Sequence, residues 1–391
     1  MKRTLTFLKR PSAALAVCAL VLGTLSSCEK TTDPGEPGMD PDVTPSVYSD
    51  MEYTSQSASL TGPRNYMLSA SIGSKAYFLG GYEGEVIPPV SGKIDIYDAE
   101  TFTWSSKTLP GADNYYRLDT DSPIQVVGSH VYFVKYFTYP GPPAPEKLRA
   151  YNLETGATTM ITLNTPRLVE AVAQAGSKVF LSGGISSFYE PPMASQFVNE
   201  IYDMNTGETT TIADKDTTIA YTNAAGLGDK IYLTGFDYSK KESGNVFRVF
   251  NTTTGKFSSI AVPGAAQVRL YGTADGKVIL SGNGKLHIYD PQTNQFSETA
   301  VPNPDLGERG FTPAGNLLIF AGGSANKSGA LSDAVDVYNL RTNTWSTKKL
   351  GEKKSAVAAA VAGDLVLVAG GSTSLSTATN KVEFFKLKSA E

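Results

Sequence analysis

Along most of this 391-residue chain, short apolar runs are closed by one of two polar or flexible signals. "KAYFLGG" (75–81) and "KVFLSGG" (178–184) stop at paired glycines, and "KIDIYD" (93–98) stops at Tyr-Asp. Runs of this length bounded by turn residues read as β-strands. The second signal recurs. Tyr97-Asp98, Tyr151-Asn152, Tyr202-Asp203, Phe250-Asn251, Tyr289-Asp290 and Tyr338-Asn339 are each followed, after two intervening residues, by Thr and then by Phe102, Gly156, Gly207, Gly255, Asn294 or Asn343. The aromatic residues stand 54, 51, 48, 39 and 49 positions apart. A period of this size marks a propeller or solenoid. The glycine signal recurs as Gly80-Gly81, Gly183-Gly184, Gly322-Gly323 and Gly370-Gly371. It is degraded to Gly235-Phe236 and Ser281-Gly282, and lost at Val134-Lys135.

Each signal has a mechanical purpose. Asp or Asn opening a tight turn bonds its side chain to the backbone two residues on. Gly or Asn closing it tolerates the left-handed conformation that short hairpins need; Phe102 departs from that rule. Two residues further on, Trp104, Phe257, Phe296 and Trp345 mark an outer strand, with Thr158 and Thr209 as weaker versions. Paired glycines mark places where backbones approach closely. Each unit is therefore a four-stranded antiparallel meander that cannot bury its faces alone.

Apolar strand, Gly-Gly, long loop, Tyr-Asp and then Trp resembles the kelch repeat over roughly residues 47–391. The resemblance implies an all-β fold, a β-propeller with one repeat per blade. Six copies carry the full Tyr-Asp turn. A seventh, from "AVAAAVAGDLVLVAGG" to "KVEFFKLKSAE", ends after three strands, while "VYSDMEYTSQSASLTGP" near the amino terminus reads as an orphan outer strand with Tyr53 at the Trp104 position. Seven blades are expected, with residues near 51–60 completing the last and closing the ring; six blades are the alternative.

The amino terminus reads as targeting rather than fold. Lys2, Arg3, Lys9 and Arg10 precede the apolar "AALAVCALVLGTL", 13 residues long, which is signal-peptide length and short of a membrane span. Leu25-Ser26-Ser27-Cys28 resembles the bacterial lipobox, which implies cleavage before Cys28 and lipidation of its thiol. The expected organisation is a lipoprotein signal peptide at 1–27, an acidic Pro/Gly-rich tether at 28–46 and the propeller at 47–391. Such a tether has too few apolar residues to bury a core. The expected location is the cell envelope of a Gram-negative bacterium, lipid-anchored at the outer membrane, periplasmic or surface-facing.

Composition narrows the chemistry. Residues 1–27 hold four positive charges and no negative ones, so their removal takes the formal net charge from −4 to −8. An acidic domain argues against nucleic acid as partner. Cys18 and Cys28 are the only cysteines and both lie in the processed region, which leaves no disulfide or thiol chemistry in the domain. The kelch resemblance extends to copper-radical oxidases, whose histidine ligands and Cys–Tyr cross-link this chain lacks. With His130 and His287 alone and in different repeats, neither a zinc site nor a serine triad is expected. No cofactor and no metal is anticipated.

What remains is binding. The loops between second and third strands and those between blades share one face. The first class is aromatic: Tyr82-Glu83, Tyr136-Phe137-Thr138-Tyr139, Phe188-Tyr189-Glu190 and Phe236-Asp237-Tyr238. Such rings suit sugar faces or protein side chains, or else stiffen the loops by packing together. The second class carries Arg64, Arg117, Arg167, Arg269, Arg309 and Lys354 ahead of six innermost strands, with Tyr221 in the fourth blade. These cations either fasten blades through carbonyls and acids or form a ring that attracts an anion. Their return in six blades while the flanking sequence drifts favours the ligand role, with Tyr82, Tyr136, Tyr189 and Tyr238 as aromatic partners. The leading expectation is a non-catalytic module binding a glycan or protein. The alternative is a mutarotase or epimerase acting on an acidic sugar such as sialic acid, with Glu83, Glu190 and Asp237 as candidate acids and bases.

Overall fold

The computed structural model describes residues 46–83, 91–110, 125–133, 146–184, 195–216, 218–240, 245–264, 267–374 and 377–390. The expected signal peptide, Cys28 and all but the last residue of the expected tether lie outside the described residues.

Seven four-stranded antiparallel sheets form a β-propeller, and the six-bladed alternative does not hold. From inner to outer strand, blade 1 is Leu68–Ile72, Lys75–Leu79, Lys93–Asp98 and Thr103–Thr108. Blade 2 is Gln125–Val127, His130–Phe133, Lys147–Asn152 and Thr158–Thr162; blade 3 is Ala171–Ala175, Lys178–Ser182, Asn199–Asp203 and Glu208–Ile212. Blade 4 is Ile219–Leu227, Lys230–Asp237, Asn245–Asn251 and Lys256–Ser259; blade 5 is Arg269–Ala274, Lys277–Gly282, Lys285–Asp290 and Gln295–Ala300. Blade 6 is Gly310–Ala314, Leu317–Ala321, Ala334–Asn339 and Thr344–Lys349. Blade 7 is Ala358–Ala362, Leu365–Ala369 and Lys381–Ser389, and its outer strand is Tyr48–Ser59 from the amino-terminal end.

That outer strand closes the ring, pairing antiparallel with Lys381–Ser389. Tyr53 stands opposite Phe385 as Trp104 stands opposite Tyr97, the two rings edge to face at 5.4 Å. The strand also clasps blade 6. Tyr48 exchanges hydrogen bonds with the Asn316 carboxamide at 2.7 and 2.9 Å, and Asp50 accepts from Ser346 and Lys348.

No blade has a core of its own. Seven buried clusters each join two neighbouring blades: Tyr77 and Leu79 of blade 1 meet Val131 and Phe133 of blade 2, and so on around to Phe384 of blade 7 against Phe78 of blade 1. The turn aromatics seal this ring from outside. Tyr97–Trp104, Phe250–Phe257, Tyr289–Phe296 and Tyr338–Trp345 sit 4.8 to 5.2 Å apart across third and outer strands.

The glycine pairs explain themselves at the blade junctions. A Cβ on the second glycine (Gly81, Gly184, Gly323 or Gly371) would overlap the chain arriving at its own blade. A Cβ on Gly183, Gly322 or Gly370 would overlap the carbonyl of Tyr221, Lys354 or Arg64, which leads into the next blade. Two crossovers therefore squeeze past one strand end, and only glycine leaves them room.

Phe102 takes the same left-handed backbone (φ 56°) as Gly156, Asn294 and Asn343, although it is Phe and 71% exposed. The turn imposes the conformation and the side chain gains little in return. Phe102→Asn is expected to stabilise the fold by about 1 kcal/mol, the cost of a left-handed residue with a bulky Cβ substituent. An unchanged denaturation midpoint would show that the Phe102 ring compensates for its backbone.

Candidate functional site

The position three residues before each turn Asp or Asn, in the middle of the third strand, decides what each junction cation can do. It is Asp95, Arg149, Glu200, Arg248, His287 and Asp336 in blades 1 to 6, and the equivalent residue of blade 7 is Glu383. Sequence reasoning passed over this position, although a charged residue amid strand apolars at a fixed offset was a usable signal.

In blade 1 Arg64 is fully buried, paired with Asp95, and donates to the Gly80 and Lys93 carbonyls at 2.7 and 3.1 Å. In blade 3 Arg167, equally buried, lies 3.1 Å from Glu200 Oε2 and donates to the Gly183, Thr165 and Leu181 carbonyls. Glu200 Oε1 accepts the Thr165 N–H, so one carboxylate holds both the incoming chain and its cation. Blade 6 repeats this with Arg309 on Asp336 at 2.7 Å and on the Gly322 and Phe320 carbonyls. Blade 7 repeats it with Lys354, 3.0 Å from Glu383 at ion-pair distance without hydrogen-bond alignment. Burial pushes the Arg64, Arg167 and Lys354 side chains below their ordinary pKa values, and the facing carboxylates oppose that push.

Blade 4 has the pair reversed. Arg248 on the third strand meets Asp214 on the incoming chain at 2.8 Å, and Tyr221, at the junction-cation position, donates its hydroxyl to the same Asp214. The same linkage is built with its charges exchanged, which is why the basic residue could be lost there.

Blade 5 breaks the pattern. Its third-strand position is His287, which is buried, 3.3 Å from Glu298 and 3.3 Å from the Gly282 carbonyl. Among the described residues no acid pairs with Arg269. That side chain is exposed, makes no side-chain hydrogen bond or ion pair with any described residue, and lines a cleft of about 410 Å³ between blades 4 and 5. Thr222, Asn223, Phe236, Gln267 and Asn283 line the cleft with it, and no described acidic residue does. Phe236 is 46% exposed. The two blades meeting here are the ones with degraded glycine pairs, Gly235-Phe236 and Ser281-Gly282. Their innermost strands also carry register shifts, between Tyr221 and Asn223 and between Leu270 and Gly272, unlike the other described innermost strands. Bulges of this kind re-aim side chains at functional places.

Asn223 also lines the central channel, about 530 Å³, walled by innermost strands of blades 2 to 5 with Pro313 of blade 6. Cleft and channel therefore adjoin at one residue.

Of the other candidates, Tyr82 bridges to Asn65 by backbone bonds, with Tyr66 edge-on to its ring at 6.1 Å. Tyr238 is 55% exposed, its ring edge to face with Phe197 at 5.9 Å. Arg117, Tyr136, Tyr189 and Glu190 lie outside the described residues. Glu83 pairs with Lys93 at 3.1 Å; burial would raise its pKa, but hydrogen bonds from Ser91 and Lys93 and the Lys93 charge hold it low. Asp237 is held at about 2, chiefly by the Ser239 hydroxyl, with Thr218 and Lys240 assisting. Both are carboxylates at neutral pH and neither lines the cleft. Among the described residues no group of three or more His, Cys, Asp or Glu could hold a metal ion.

No protein-family model matches the chain, and no curated protein matches it.

Proposed function

We propose that this protein is a non-catalytic binding module, a kelch-type propeller that takes an anionic glycan or protein ligand in the cleft between blades 4 and 5. The supporting observation is Arg269. Of the junction cations described, it alone faces no carboxylate and stands exposed in a cavity lined with amides, hydroxyls and an exposed ring. In this reading Arg64, Arg167, Arg309 and Lys354 fasten blades, and the repeat was relaxed at Arg269 to present a charge. The cleft falls within the roughly 300–1,000 Å³ range of small-ligand sites. No acid–base pair is found among its described lining residues, which favours binding over the acidic-sugar mutarotase alternative.

Arg269→Gln is expected to leave folding stability within about 1 kcal/mol of the parent, as for an exposed charge. Affinity for an anionic ligand selected on a glycan or peptide array should fall by roughly 1.5–3 kcal/mol, the worth of one charge-assisted hydrogen bond. A variant that binds as tightly as the parent would end this reading.

The envelope location is proposed on the amino-terminal pattern and Cys28. Cys28→Ala is expected to move the full chain from the membrane to the soluble fraction with the propeller intact; retention on membranes after a high-salt wash would count against lipidation.

A further inference from the structure

The cleft and the channel share Asn223 in their linings but are chemically different. The cleft has a cation. The channel's described lining has no charged side chain: it is made of small apolar residues, glycines, Tyr271, Thr273 and the carboxamides of Gln125, Gln174 and Asn223. Each innermost strand is also the edge of its sheet, so one row of its backbone polar groups has no ladder partner and faces the axis. The carboxamides are half-engaged. Gln174 donates to the Gly176 carbonyl at 3.0 Å and Asn223 to the Thr222 hydroxyl at 3.2 Å, while their amide oxygens accept no hydrogen bond from a described residue.

These features select a ligand. A charged group entering the channel would lose its water without a counter-charge, at large cost. An apolar tail would leave the amide oxygens and edge carbonyls dry and unpaired. A chain rich in hydroxyls and without charge satisfies both constraints, since each hydroxyl donates to an acceptor and accepts in turn.

Resting on the binding reading above, we propose that cleft and channel form one two-part site for an acidic oligosaccharide, its anionic unit at Arg269 and its neutral units passing Asn223 into the channel. The register shift between Tyr221 and Asn223 falls at the join, and the shift between Leu270 and Gly272 falls just after Arg269, where the blade 5 strand passes from cleft to channel. Single-residue acids would then use half of the site.

Calorimetry with two probes tests this: glucuronic acid alone, and a uronic acid linked to two neutral xylose units. The longer probe is expected to bind roughly tenfold more tightly, the gain of one or two neutral hydrogen bonds. Gln174→Met, at a residue that lines the channel and not the cleft, should erase most of that advantage while leaving glucuronic acid binding and melting temperature unchanged. Arg269→Gln should weaken both probes equally. Equal affinity for the two probes, with sensitivity to Arg269→Gln, would overturn the channel subsite and leave the binding module standing. Binding of neither probe would overturn the acidic-oligosaccharide assignment itself. If a carboxamide variant melts many degrees lower, Gln174→Glu serves instead: a carboxylate in the channel should repel the uronate-bearing chain, and unaltered binding counts against the proposal.

Discussion

Deletion of residues 47–60 is expected to leave a propeller that melts far below the parent or aggregates. The third strand of blade 7, Lys381–Ser389, would lose its outer neighbour and expose a long row of unpaired backbone groups. Met51 and Leu60, both almost fully buried, would leave voids in the clusters that join blade 7 to blades 6 and 1. By the measure of large-to-small core substitutions, each such loss costs about 2–5 kcal/mol, against a total stability of roughly 5–15 kcal/mol. The clasp onto blade 6 through Asn316, Ser346 and Lys348 would go as well. Met51→Ala gives the same test in milder form, with an expected loss of about 2–5 kcal/mol by denaturant titration. A synthetic peptide covering 47–60 should restore part of the melting temperature of the shortened chain. An unchanged melting temperature after deletion would mean that the ring does not depend on this closure.

How much of this fold can be read from the sequence depends on what repeats. Turn residues such as Asp98 and Asn152 act through their own local backbone, so their spacing alone located the strands. The Trp104 and Trp345 positions follow from the same offsets, and Tyr53 opposite Phe385 shows that even the displaced outer strand could be placed by analogy. Phe102 was visible as an exception but not explicable, because the turn's backbone is dictated by the sheet on either side of it. The junction cations were legible as a ring, yet their partners were not. A cation in a loop and an acid in a strand about 30 residues later become neighbours only when the blade folds. The sequence therefore treated Arg64, Arg167, Arg269 and Arg309 alike, whereas the residue facing each one divides them. The informative comparison was His287 against Asp95, Glu200 and Asp336. Likewise the degraded glycine pairs of blades 4 and 5 read as decay of a repeat, and in the structure they border the cleft.

Glu200→Ala is expected to cost about 3–5 kcal/mol, among the largest single-residue effects in the molecule, because it strands Arg167 in a site with no solvent access. The guanidinium would keep its three carbonyl partners but lose its counter-charge, and the Thr165 N–H would lose its acceptor. Removing both charges should hurt less. A double Arg167→Met, Glu200→Leu variant puts apolar volume in place of the pair and escapes the uncompensated charge, so a substantial part of the loss should be recovered. The carbonyls of Gly183 and Thr165 would lose their Arg167 donor, which limits the recovery. Asp336→Ala beside Arg309 and Glu383→Ala beside Lys354 should follow Glu200→Ala, since each takes the strand carboxylate from a buried or nearly buried cation, with Glu352 at 4.0 Å softening the loss at Lys354. Arg248→Ala should do the same from the opposite side, leaving the buried Asp214 carboxylate without this counter-charge. Arg269→Gln belongs to the other class, with little effect on stability. The division is sharp enough to fail: if Glu200→Ala costs less than about 1 kcal/mol, well short of what stranding a buried charge implies, Arg167 does not depend on its partner, and the fastening role assigned to the buried cations falls with it.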